Sequence, residues 1–153
     1  MAGMTAAHLR ATEFVGMAGG ALLVVSLFLP WYGTDPANQH SQVDGRTGSL
    51  SAWEVHPILR WLLLAAATAP FVLAWIILRD HTLSWARGEM TVVTSVAAFG
   101  LVAYNGFVDR PGDIAISLQY GFFLALVATL VMVGAAAKRS SESERPRKPP
   151  GTI

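Results

Sequence analysis

Four apolar runs, each close to the thickness of a bilayer core, alternate along this chain with polar breaks of very unequal length. The first, Phe14 to Leu29, carries no charged side chain and leaves through Pro30-Trp31-Tyr32. At a helical rise of about 1.5 Å per residue, Phe14 to Trp31 covers roughly 27 Å, close to the hydrocarbon thickness of a membrane. Three later runs repeat the pattern. The spacing predicts transmembrane helices over about 13–31, 57–78, 90–108 and 114–137. The expected fold is an all-α membrane protein, four helices in an antiparallel bundle.

The longest break, 32–53, is rich in Gly, Pro, Asp, Asn and Ser and makes the one sizeable loop. Asp44-Gly45 is a hairpin-type turn signal, but its flanks lack sustained alternation, so at most a short two-stranded ribbon is expected. Ser51-Ala52-Trp53-Glu54 fits a capping box and predicts a short interfacial helical turn before Pro57 opens the second helix. Arg60 lies one turn inside, near enough to the interface to snorkel, and Pro70 should bend that helix. Asp109-Arg110-Pro111-Gly112-Asp113 makes a tight turn whose last residue is placed to cap the fourth helix. Lys138-Arg139 marks the end of that helix. Beyond it, 138–153 is polar, proline-rich and basic, and is expected to be a disordered tail. Glu13, at the start of the first helix, suits the positive end of the helix dipole.

Composition narrows the class. Of 153 residues, 53% are hydrophobic and 14% charged, well below the roughly one quarter charged of soluble domains. Four spans use just over half the chain, which leaves a single transmembrane domain, 1–137, and the tail. The absence of cysteine excludes a loop disulfide and thiol redox chemistry. Pro-Trp-Tyr after the first run is no small-residue cleavage site, so the first helix is expected to be retained. Cations set the orientation: Arg10, Arg79, Arg87, Lys138, Arg139, Arg145, Arg147 and Lys148 fall on one side, against Arg46, Arg60 and Arg110 on the other. Both termini are therefore expected in the cytoplasm.

Chemical constellations are fewer than packing motifs. Gly16 and Gly20 form a close-approach pair on the first helix; Ser95 and Ala98 continue a small-residue stripe on the third, and Gly121, Ala125 and Ala128 one on the fourth. These faces are expected to bury within the bundle, with self-association through Gly16 and Gly20 as the sharper reading. Trp31, Trp53 and Trp61 on the outer side, and Trp75 and Trp85 on the inner, read as interfacial anchors. No ionisable group falls near a span midpoint, which argues against proton-coupled transport. Asp35, His40, Asp44, Glu54 and His56 share the outer side, but their spacings match no metal motif, so no metal or other cofactor is expected. The basic tail lacks aromatic interleaving, so nucleic acid is not expected as a partner.

Leu29-Pro30-Trp31-Tyr32, Ser51-Ala52-Trp53-Glu54 and Arg110-Pro111-Gly112 together resemble a group of small, alanine-rich four-span actinobacterial proteins without an assigned activity. The resemblance covers roughly 14–137 and implies a bacterial cytoplasmic membrane location and no mechanism. The leading expectation is a non-enzymatic accessory or scaffolding subunit, its partners being the lipid bilayer and either another membrane protein or a second copy of itself. A homo-oligomeric transporter or channel is the alternative, and a lipid-directed enzyme would require the outer polar cluster to be catalytic.

Overall fold

Helices form where the apolar runs predict them, while their ends are set by contacts that a hydropathy pattern does not contain. The protein is described by a computed structural model over residues 9–79, 88–112 and 114–143. In chain order the elements are α1 (Ala11–Leu27), β1 (Pro30–Gly33), β2 (Ser49–Ser51), α2 (Ala52–Val55), α3 (Leu59–Leu78) and α4 (Glu89–Ala103). A π-helical turn (Tyr104–Val108) extends α4, and β3 (Ser117–Leu118) and α5 (Tyr120–Ser143) follow. Three segments, Leu59–Leu78, Glu89–Val108 and Tyr120–Glu142, are long and apolar enough to cross a membrane; Ala11–Leu27 is apolar but shorter.

α1 packs against α5 and α3, and α4 packs against α5 and, less extensively, α3. Small residues make these seams close. Gly16 faces Pro70 and Ala135, and a Cβ on Gly20 would stand 2.5 Å from the Ala67 carbonyl oxygen. In the interior, Leu23, Leu27, Leu63, Ala67, Val102, Phe122 and Met132 pack with the buried Ser95, Ala98, Ala125 and Ala128. Two of the buried hydroxyls are absorbed on their own helices, Ser26 donating to the Leu23 carbonyl and Thr129 to that of Ala125, whereas the buried Ser95 hydroxyl has no hydrogen-bond partner among the described residues. α3 stays helical through Pro70.

The chain is mostly helical, as expected, with one addition. A three-stranded antiparallel sheet of order β2-β1-β3 caps the helices. The first helix stops at Leu27, not 31, because Pro30 cannot continue the ladder and the backbone turns extended, pairing Tyr32 with both Leu50 and Leu118. Pro30 pairs with Ser51 and Tyr32 with Leu50, so Trp31 is the extra residue of a β-bulge. Strict alternation would turn one of two neighbouring side chains outward; the bulge lets both Trp31 and Tyr32 be fully buried.

The last helix is displaced as well. It begins at Tyr120, not 114, since Ser117 and Leu118 are held in the sheet and Ala115 adopts a left-handed φ of 57°. It runs to Ser143, past Lys138-Arg139, because Arg139 finds an internal partner. Helical structure therefore replaces the first part of the expected disordered tail. Trp85, Asp113 and the tail from 144 lie outside the described residues.

The π-helical turn has a visible cause. Asn105 Nδ2 donates to the Leu101 carbonyl, the Asp109 N–H reaches back to Tyr104, and Gly106 leaves room for the Phe122 ring, which any Cβ there would strike.

Candidate functional site

The cap is built from the two tryptophan-bearing motifs. The indole N–H of Trp31 donates to the Ser26 carbonyl at 2.7 Å, joining the Leu29 N–H at 3.2 Å where Pro30 has no N–H to continue the helical ladder. Its ring meets Phe122 edge-on at 5.7 Å and His56 at 6.2 Å. Next to it, the Tyr32 hydroxyl lies 2.8 Å from His56 Nε2 and 3.2 Å from the Asn105 carbonyl. A consistent assignment has Tyr32 donate to that carbonyl and accept from a neutral, Nε2-protonated His56. Burial raises the Tyr32 ionisation far above its ordinary value, so the phenol keeps its proton. Burial also holds His56 below its usual value of 6.5, with the Asp109 carboxylate pulling in the opposite direction. The cluster is thus a neutral relay joining β1, the α2–α3 junction and the end of α4.

A second aromatic group surrounds Arg60. Its Nη1 donates to the Trp53 carbonyl at 2.9 Å, and the guanidinium lies 4.9 Å from the Trp53 ring centroid and 5.6 Å from that of Trp61. Phe28 stacks on Trp53 at 4.9 Å, and Trp61 meets Trp53 edge-on. Ser51 and Glu54 form the capping box read from the sequence: the Glu54 N–H donates to Ser51 Oγ, and the Ser51 N–H to Glu54 Oε2. Those bonds from Ser51 hold the Glu54 carboxyl below the ordinary carboxylate range.

Two concavities open on the cap. One, about 490 Å³, is lined by neutral polar side chains including Thr34, Asn38, Gln39, Thr47 and Gln119, with Asp35 as its carboxylate. The other, about 410 Å³, lies between Phe107, Val108, Arg110 and Ile114. Ser41 braces the loop from beneath, accepting from the Asp35 N–H and donating to the Ala115 carbonyl. Among the described residues no three His, Asp or Glu side chains are grouped to hold a metal ion. Asp35 caps the Ala37 N–H, Glu54 caps α2 and His56 faces Tyr32, so these three do not converge.

At the opposite end, Glu13 at the start of α1 meets Arg139 near the end of α5 with an N···O distance of 2.8 Å, both side chains buried. Arg10 pairs with Glu142 at 2.7 Å, and Arg139 lies 3.9 Å from Glu142. Glu13 is therefore more than an interfacial residue suited to a helix dipole: its Oε2 accepts the Arg10 N–H while Oε1 faces a buried guanidinium. The signal present in the sequence was a matched spacing, Arg10 and Glu13 opening the first helix and Arg139 and Glu142 closing the last.

No protein-family model, curated protein or solved structure matches this chain. Residue placement is accordingly the basis for function. Gly16, Gly20, Ser95, Ala98, Gly121, Ala125 and Ala128 are all buried between elements of the chain itself; Gly121 lies against the Leu29-Pro30 backbone. Trp61 and Trp75 are exposed and Trp53 half-buried, positions open to an interface, and Arg79 lies 5.4 Å over the Trp75 ring. Trp31 departs from the anchor reading, because its indole is enclosed and spent on Ser26.

Proposed function

We propose that the chain is a multi-pass protein of a bacterial cytoplasmic membrane, its four apolar helices forming an antiparallel bundle with both termini cytoplasmic. Its role is that of a non-enzymatic accessory or scaffolding subunit. The membrane reading is supported by large apolar side chains exposed on every long helix, among them Phe14 and Val25, Phe71 and Val72, Val93 and Val96, and Val127 and Leu130. In water such surfaces would drive association; in lipid they are the matching solvent. The resemblance of the Leu-Pro-Trp-Tyr exit and its companion motifs to small actinobacterial four-span proteins agrees with that location.

The observation that carries the accessory role is the cap. A loop of this length needs no sheet to connect two helices, yet here three chain segments are pinned around Trp31, Tyr32 and His56 beneath a polar groove. Amide and hydroxyl groups on a fixed framework suit hydrogen bonding to the loops of a neighbouring subunit.

The test is purification of the native complex in mild detergent, with the mass of the intact particle and identification of its components. One stoichiometric, unrelated membrane protein is the expected result. A homo-oligomer lacking any partner would overturn the accessory reading in favour of a pore or transporter. For orientation, a cysteine at exposed Gln39 is expected to react with an impermeant reagent on intact cells and one at Ser141 only after lysis; the reverse pattern would invert the topology.

A further inference from the structure

We infer that the recess beside Arg110 binds the phosphodiester of a membrane glycerophospholipid. The inference rests on the membrane reading above and adds a specific ligand site to it.

The recess is about 410 Å³, within the usual range of small-molecule sites, and its walls are of two kinds. One is cationic. Arg110 Nε donates to the Gly106 carbonyl at 3.1 Å and Nη1 to the Ile116 carbonyl at 2.7 Å. These bonds fix the guanidinium plane but use only two of its five N–H groups. Among the described residues Arg110 joins no ion pair. A guanidinium held in place with donors remaining is preorganised for the paired oxygens of a phosphate.

The other wall is apolar and faces outward: Phe107 is 60% exposed, Val108 72% and Ile114 53%. These residues lie at the cap end of the α4 segment, where an apolar helix surface gives way to the polar cap. A cation two residues beyond such a surface sits at headgroup level, with the apolar wall beside the first acyl carbons. Free phosphate would gain nothing from Phe107, Val108 and Ile114, so the two walls together favour a lipid.

Arg60, at the same end, provides the contrast. Its charge is covered by Trp53 and Trp61 and its Nη1 is spent on a backbone carbonyl. Arg110 lines an open concavity instead.

The test uses the full chain purified in mild detergent and titrated with phosphatidylglycerol, with retained lipid counted by native mass spectrometry. Wild type is expected to hold one phospholipid, to ignore diacylglycerol with the same acyl chains, and to keep its lipid in millimolar inorganic phosphate. Arg110→Gln is expected to lower occupancy at least tenfold. Val108→Asp sets a carboxylate against the guanidinium while leaving the bonds to Gly106 and Ile116 in place; it should give the same loss with an unchanged melting temperature.

Equal retention of diacylglycerol would reduce the recess to an apolar surface, and displacement by inorganic phosphate would make it a site for the free anion. Either result overturns the inference, as does undiminished binding in both variants, and the wild-type comparisons need no variant to fold. Wild type left in the supernatant after high-speed centrifugation of lysed cells would instead defeat the membrane reading itself. A membrane-bound chain without phosphatidylglycerol would defeat only the recess.

Discussion

Replacing Glu13 by Gln should be among the most destabilising single changes in this protein, although it alters neither size nor shape. The carboxylate side chain is 1% exposed and its partner guanidinium, Arg139, 8%, at 2.8 Å. The substituted amide would keep an oxygen to accept the Arg10 N–H, so the cap of α1 survives while the charge facing Arg139 is removed. What remains is a buried cation that has lost its closest carboxylate, and breaking such a pair from one side costs about 3–5 kcal/mol. For a chain of this size roughly 2–4 °C of melting temperature corresponds to each kcal/mol, so the midpoint should fall by about 6–20 °C. The double variant Glu13→Gln with Arg139→Met removes both desolvation penalties together and should recover most of that loss. Glu142→Gln, whose side chain is 22% exposed and pairs with the exposed Arg10, should move the midpoint less. The assay is thermal unfolding of wild type, Glu13→Gln, Arg139→Met, the double variant and Glu142→Gln in one mild detergent, followed by tryptophan fluorescence. A Glu13→Gln midpoint within about 2 °C of wild type would refute the reasoning, as would a double variant whose loss equals the sum of the two single losses.

Gly20→Ala should lower the melting temperature despite alanine's better helix propensity. Its Cβ would lie 2.5 Å from the Ala67 carbonyl oxygen, and parting α1 from α3 should cost about 1–3 kcal/mol. Gly100→Ala, whose Cβ meets open space, should be neutral or stabilising by up to about 1 kcal/mol in the same scan. Trp31→Phe keeps an aromatic ring but removes the shorter of the two hydrogen bonds to the Ser26 carbonyl, leaving the Leu29 N–H at 3.2 Å; a loss of about 0.5–1.5 kcal/mol is expected, together with faster hydrogen exchange at Tyr32 and Gly33. Burial depresses the His56 pKa in the folded protein, so its stabilising contribution is complete above pH 6.5 and is lost as pH falls through the lower folded-state value. Wild type should therefore lose melting temperature relative to His56→Gln on going from pH 7.5 to 5; parallel curves would count against a buried neutral imidazole.

The helices were legible because long uncharged apolar runs leave few alternatives, and the Ser51–Glu54 capping box was legible because both partners lie within four residues. What escaped was long-range. Strands of two to four residues are too short to leave an alternating pattern, and β1 is held by partners near positions 50 and 118. Trp31 looked like an anchor because Pro-Trp-Tyr after an apolar run has the composition of an interfacial belt; only the bulge turns it inward. Arg139 resembled one more cation in a basic tail, and the carboxylate that keeps it helical and buried is more than 120 positions away. Hydropathy reports the solvent a segment prefers, whereas these features depend on which distant segment arrives to meet it.

The sheet has a consequence for biogenesis. Its central strand is synthesised well before one of its two neighbours, Ser117–Leu118, which directly precedes α5. Until that helix is made, Tyr32 lacks one of its pairing strands, Trp31 lacks Phe122, and Glu13 at the other end lacks Arg139. Both ends of the molecule are thus closed by the same late element. A nascent chain reaching only as far as residue 116 would lack both closures, leaving Trp31 and Tyr32 without Phe122 and β3 on one side and Glu13 without Arg139 on the other.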